Sequence, residues 1–313
     1  SQALGVNESE RILLIVPQFH ANAWGMPYAA WWVGADLVMP QQFLQADPLV
    51  DIIEKTRPTA SGAVPSVLSD ILHNRPDADL SSFGYIVCGG SAVPRSLIEG
   101  FDATFGVEVI QAWGMTETSP LGAIARVPKN DPTGDPMNWR TRTGRILPGV
   151  EIRICGDDGS VLPWDDEAQG EIEIRGPWIT GAYYLDPTEE KFHDGWLRTG
   201  DVGSINSKGF VQISDRAKDV IKSGGEWISS VDLENMLMGH PAVREAAVIG
   251  VPDDRWDERP LACVVLGEHA SASPGELSDY LAGKVARWWV PERWAFVEEI
   301  PKTSVGKFSK KDL

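Results

Sequence analysis

The sequence has no apolar run long enough to cross a bilayer. Its longest, 12–17 (ILLIVP) and 28–35 (YAAWWVGA), fall far below the ~20 residues of a spanning helix. No basic stretch followed by an apolar one stands near Ser1, so no signal peptide is expected. Cysteine is scarce: Cys88, Cys155 and Cys263 lie far apart with no C-x-x-C pair. That argues against a disulfide framework and a zinc site, and fits a reducing, cytoplasmic setting. Basic residues are also few, 28 Lys and Arg against 45 Asp and Glu, for a net charge of −17. Nucleic acid or an anionic membrane surface is repelled on average, so an anionic ligand needs a local basic pocket. Two catalytic signatures are missing as well. No G-x-x-x-x-G-K-[ST] loop occurs, and CGGSAV lacks the last glycine of G-x-S-x-G, so nothing links Ser91 to a hydrolase triad. His193 and His240 have no metal-ligand spacing.

What is present is a folded chain of 313 residues, 42% hydrophobic, enough for two or three domains. Over 1–139, apolar runs (RILLIVP, 28–35, ADLVMP, TASGAVP, YIVCGG, VEVIQAW) alternate with amphipathic stretches (DPLVDIIEKTRP, VPSVLSDILHN, SLIEGFDATFG). This pattern predicts an α/β region with a parallel sheet covered on both faces. Over 140–214 the rhythm turns to short strands with Asp-Gly and Lys-Gly turns, predicting an antiparallel, barrel-like β subdomain. Over 215–313 helices and strands mix again (VDLENMLMGHP, EAAVIGVP, LACVVLG, SPGELSDYLAGKVA, RWAFVEEIP), predicting a C-terminal α+β domain.

Five segments could carry chemistry. WGMTE places Thr116 and Glu117 just past the strand VEVIQ, at the carboxyl end where open α/β sheets bind ligands. A hydroxyl beside a carboxylate can hold a phosphate oxygen and Mg²⁺ together; a helix-capping turn is the plainer alternative. In YIVCGGSAVP a strand runs into a Gly-Gly-Ser turn at Gly90, open to close backbone approach by a flat ligand or simply a connection. RTGD places Asp201 on a loop, where a carboxylate can accept two hydroxyls of a diol or serve only as a turn residue. DRAKDVIKSGGEW groups Arg216, Lys218 and Lys222 before a Gly-Gly pair and Trp227, between two predicted domains. PKTSVGKFSKKDL carries Lys307 behind Gly306, a mobile point charge or part of a frayed basic tail. Most of the 13 tryptophans are expected in cores and domain contacts, with Trp24, Trp113 and Trp227 as candidates for a pocket wall.

Taken in order, FHANAWG, GGSAVPRSL, QAWGMTETSP, GEIEIRGPWITGAYY, RTGD, DRAKDVIKSGGEWISSVDLE and PKTSVGKF resemble the acyl-adenylate-forming (ANL) superfamily, specifically medium- and long-chain fatty acyl-CoA synthetases. The resemblance implies the ANL fold and an AMP-forming acid–thiol ligase. ATP, Mg²⁺ and CoA would be its co-substrates and cofactor, and a fatty acid its substrate. By resemblance, Thr116 binds phosphate and Glu117 the Mg²⁺, while Gly90, Gln111 and Trp113 line the adenine slot. Asp201 and Arg216 hold the ribose, Lys218 is the pivot of the last domain, and Lys222 and Trp227 lie near nucleotide or CoA. Lys307 is the adenylation lysine, and His20 and Trp24 border the acyl tunnel, Trp24 as an indole gate. Trp113 stands where the family commonly has Tyr. The family's Ser/Thr/Gly-rich phosphate loop ending in P-K-G is absent and, by resemblance, lies upstream of Ser1. The chain is therefore expected to be the C-terminal portion of a ligase, weakly active or inactive by itself. An aryl- or short-chain acid ligase, an acyl-AMP ligase that loads a carrier protein, and a non-catalytic binding module remain open, as do peripheral membrane contact and oligomeric state.

Overall fold

A computed structural model describes residues 4–131, 133–185, 189–224, 226–303 and 308–313. The first half builds a parallel sheet in the order Asp36–Val38, Arg11–Leu14, Ala60–Ala63, Tyr85–Gly89, Glu108–Gly114. Alternation along the first long strand divides the packing. Leu13 and Ile15 join the core beneath the amphipathic helices Ala46–Thr56, Pro65–Asn74 and Arg95–Phe105, around the fully buried Phe101. Ile12 and Leu14 face the other way, toward Met26 and Ala30.

The run 28–35 departs from the strand its apolar residues suggest. Residues Met26–Val33 form a helix, opened by Pro27 in its first turn and closed by Gly34 at φ 80°. Proline at the start and a left-handed glycine after the end define a helix whatever lies between. Trp31 and Trp32 point outward, 76% and 86% exposed.

After Glu108–Gly114 the same sheet turns antiparallel. Leu121–Ile124, Gly144–Ile146, Phe210–Arg216, Trp196–Ile205, Gly170–Arg175 and Glu151–Cys155 follow in spatial order, and Phe192–His193 pairs with Trp196–Ile205. The antiparallel part thus extends the parallel sheet and buries its own core around Ile154, Ile172 and Ile174. A second sheet begins at Ile221, five-stranded, with the helices Ser230–Leu237 and Pro274–Leu281 packed on it. Both helices start on a serine whose hydroxyl accepts a backbone N–H, Ser229 from Asp232 and Ser273 from Glu276. The residues between the sheets form a turn in which Asp219 and Val220 donate to the carbonyl of Arg216, both at 2.9 Å. Lys218 is exposed on that turn. Among the described residues no helix is long and apolar enough to cross a membrane.

Candidate active site

The strand Glu108–Gly114 is the axis of the site. It must end at a glycine: a Cβ on Gly114 would lie 1.7 Å from the carbonyl oxygen of Pro120. The chain can therefore fold straight back through the turn Thr116–Thr118. The buried Thr118 closes this turn, its Oγ1 accepting from Met115 N at 2.9 Å. Thr116 is left exposed and Glu117 half-buried at the rim. Glu117 is held from the antiparallel side, where Tyr183 Oη donates to its Oε1 at 2.8 Å and Thr180 N to its carbonyl at 2.8 Å. Tyr183 lies in the GAYY segment, and no single-residue signal marked it as a site residue.

Asp201 is not on a loop. It lies inside the strand Trp196–Ile205 and is 3% exposed. RTGD reads as a loop, but Gly200 at φ 71° instead supports a register shift against Gly170–Arg175 and the strand continues. Register then sets Asp201 directly opposite Arg216, whose Nε is 2.8 Å from Oδ1. Trp113 Nε1 donates to Oδ2 at 2.8 Å. The indole thus supplies a hydrogen bond of its own in place of a tyrosine hydroxyl. Two donors, one of them cationic, thus hold this buried carboxylate from the Trp113 and Arg216 sides.

Gln111 is buried, and its Oε1 accepts from Val93 N at 2.8 Å. Its side chain fixes the loop after the Gly-Gly-Ser turn. Gly90 is exposed there at φ 86°. Behind that turn, Gly89 leaves no room for a side chain, since a Cβ would meet Ala112 O at 2.5 Å.

His20 precedes a turn in which Ala21, Asn22, Ala23 and Trp24 all have φ between 41° and 56°. Four non-glycine residues in left-handed geometry carry strain of about 1–2 kcal/mol each. The turn lays the Trp24 indole over glycines in two neighbouring strands, 3.1 Å from a Cβ on Gly62 and 3.7 Å from one on Gly89. Gly25 approaches Pro120, just past Glu117, so the His20–Trp24 segment and the Thr116–Glu117 turn are neighbours.

Lys222 and Trp227 pair across the two-stranded ribbon Ile221–Ser223 and Glu226–Ile228 in the second sheet. Lys222 is exposed, and its backbone N donates to Glu258 Oε2 at 2.9 Å. Lys307 lies outside the described residues. Its neighbour Phe308 lines a cavity with Ser91, Ala92 and Met238, where the second sheet's domain meets the Gly-Gly-Ser loop. Ser96 Oγ donates to Met238 O at 3.2 Å across the same boundary.

One cluster invites a metal reading that the sequence spacing did not suggest. Ligand atoms of Cys155, Glu173 and His193 lie within 4.8 Å of one another. The position of the cation is taken by Arg153, whose guanidinium donates to Glu173 Oε2 at 2.6 Å and stacks 4.6 Å from the Trp196 ring. A fixed cation there leaves no charge for a metal to balance.

The AMP-binding enzyme family matches residues 1–184, and the AMP-binding enzyme C-terminal domain matches residues 232–307. The chain is 43% identical, over 98% of its length, to a long-chain-fatty-acid–CoA ligase of Thermus thermophilus. It is 40% identical, over 99% of its length, to a 3-methylmercaptopropionyl-CoA ligase of Ruegeria lacuscaerulensis. It spans 58% of the length of each of these relatives. Among solved structures, an anthranilate CoA ligase in complex with anthranoyl-AMP superposes with a TM-score of 0.87 at 27% identity, covering 98% of this chain and 60% of that one.

Proposed function

The chain belongs to the family of AMP-binding enzymes, and from that premise we propose that it carries the adenylate site and C-terminal domain of a fatty acid–CoA ligase. In the first half-reaction a carboxylate oxygen attacks the α-phosphorus of ATP and pyrophosphate leaves. In the second, the CoA thiol attacks the acyl carbonyl and AMP leaves. The observation that carries this reading is the buried Asp201 carboxylate gripped by Trp113 and Arg216. This carboxylate accepts the ribose hydroxyls. Thr116 contributes its exposed hydroxyl to phosphate, and Glu117, with Oε1 engaged by Tyr183, offers Oε2 to Mg²⁺. Bound there, the ion neutralises phosphate charge. Gly90 and the Gln111-braced loop form the adenine wall, and Lys307 supplies a positive charge between carboxylate and phosphate. Lys218 serves as the pivot, and Lys222 and Trp227 reach nucleotide or CoA.

His20 and Trp24 border the acyl site. The glycines at 62 and 89 make a side-chain-free apolar floor under the Trp24 indole. Displacing that ring, together with the Met26 side chain that also covers Gly62, opens the floor to a long chain. With the ring in place the two glycines stay covered, and this observation favours the second reading, an aryl- or short-chain acid–CoA ligase. A panel of dodecanoate, palmitate, 3-methylmercaptopropionate and anthranilate, assayed by pyrophosphate release with ATP and Mg²⁺, separates the two. Release with the fatty acids alone supports the first reading, and release with the small acids alone supports the second. No release with any acid by the full-length protein refutes both. Lys307→Ala is expected to slow acyl-AMP formation by roughly 10²-fold, the scale for removing a charge contact in the transition state. Thioester formation from supplied acyl-AMP should survive that substitution.

A further inference from the structure

The C-terminal segment carries a buried lysine that the mechanism does not use. Lys310 Nζ lies 2.8 Å from Glu234 Oε1 and donates to Ser230 Oγ, both on the helix Ser230–Leu237. Only 16% of its side chain is exposed. Ser230 in turn donates through Oγ to Asp215 Oδ2 and through its backbone N to the same oxygen at 2.9 Å. Asp215 belongs to Phe210–Arg216, a strand of the first sheet, so this bonded series runs from the large sheet across the pivot turn to the tail. Ser229 Oγ donates to Ser214 O beside it.

The tail itself folds back on the second domain. Lys302 pairs with Phe308, and Ser309 N donates to Pro301 O at 2.8 Å. One stem is tied by Lys302 Nζ to Glu245 Oε1 at 2.6 Å, and the other by Lys310. Phe308 and Leu313 pack against Ala247, Val265 and Ile300. These two stems bracket residues 303–307 in sequence.

We propose that Lys310 is a positioning residue: by gripping Ser230 and Glu234, and Asp215 through Ser230, it registers residues 301–303 and 308–313 on the domain boundary, and adenylation by Lys307 depends on that registration. This rests on the reading of Lys307 as the adenylation lysine. The surrounding charges agree with an anchoring cation. Burial pushes the ammonium toward neutrality, but Glu234, Asp215 and Asp219 more than offset it and hold Lys310 charged. Without Lys310, the N–H of Val248, at 2.7 Å, is what remains bonded to the buried Glu234 among the described residues. A long, flexible lysine is fixed here at both ends, which a solvated tail residue would not be.

Two measurements on the full-length protein test this. The first is hydrogen exchange at the amides of Ser309 and Asp312 in Lys310→Ala, Lys310→Arg and the unsubstituted protein, which needs no activity. Anchoring predicts faster exchange in Lys310→Ala, with protection largely restored in Lys310→Arg. Unchanged exchange in Lys310→Ala overturns the anchor. The second is a double-mutant comparison of acyl-AMP formation. A residue that acts only through Lys307 should cost about 10²-fold in Lys310→Ala, as a small misplacement of a catalytic group does, and nothing further in the Lys307→Ala background. Full additivity overturns the positioning role. If the unsubstituted protein forms no acyl-AMP, the function reading fails and exchange alone judges the anchor. Should Lys310→Ala fail to fold, Lys310→Gln, which keeps most of the stem and removes the charge, carries both measurements, with the same expected and overturning results.

Discussion

At the residue scale the account turns on side chains whose neighbours are fixed by contact with backbone or with one another. Trp113 combines two tasks: its ring packs against Gly122, and its N–H holds Asp201. Trp113→Phe keeps a flat ring and removes the donor to a buried carboxylate. The expected loss is about 1–3 kcal/mol of stability, read by urea unfolding. A neutral result would show that the indole N–H does not support Asp201. Gly114→Ala is harsher, because the new Cβ meets the Pro120 carbonyl, which is backbone and has nowhere to go. Destabilisation beyond about 4 kcal/mol, or failure to fold, is expected. An ordinarily stable Gly114→Ala protein would contradict the tight return that forms the Thr116–Glu117 turn.

At the element scale, two segments carry measurable consequences. The left-handed turn Ala21–Trp24 stores strain that glycine would relieve. Ala21→Gly should stabilise the protein by about 0.5–1 kcal/mol after the entropy of a more flexible unfolded chain is subtracted. A destabilised Ala21→Gly would mean that the turn is right-handed in solution. The helix Ser230–Leu237 carries Glu234, which burial pushes up to about 7 despite the opposing pull of Lys310. Asp232 on the same helix is pushed up to about 6, again chiefly by burial. Because the folded state holds Glu234 protonated more readily than the unfolded chain does, it binds more protons between pH ~4.5 and ~7. Stability therefore falls as pH rises through that window. Glu234→Gln should flatten this slope, as measured by thermal or urea unfolding at pH 5, 6, 7 and 8. A slope identical to that of the unsubstituted protein would contradict the raised value. Lys310 and Asp215 act on Glu234, Asp219 acts on Lys310, and Asp232 leaves its own residual slope in the variant.

At the scale of the whole molecule, the order of strands and helices was largely readable because parallel strands buried on both faces leave continuous apolar runs. Helix Arg95–Phe105 shows its amphipathic face in the same way. The run 28–35 misled, since its apolar letters fit a strand and only Pro27 and Gly34 mark the helix. Asp201 misled in the opposite sense: a turn-like spelling hid a strand whose importance lies in a cross-strand partner fifteen residues on. The motif order found the family, and the contact between Trp113 and Asp201, 88 residues apart in sequence, needed the fold. Lys310 left no trace in the pattern either, because a basic tail and a buried anchor are spelled alike and only the packing of Ser230 and Glu234 distinguishes them.

Calorimetric titration of the protein with AMP and with 2′,3′-dideoxy-AMP bears most directly on the central claim, that Asp201, poised by Trp113 and Arg216, receives a ribose diol. The account predicts that AMP binds and that the dideoxy nucleotide binds at least about tenfold more weakly, the equivalent of losing one hydrogen bond to a charged group. Equal affinity for the two nucleotides, or no heat from either at millimolar concentration, would contradict it.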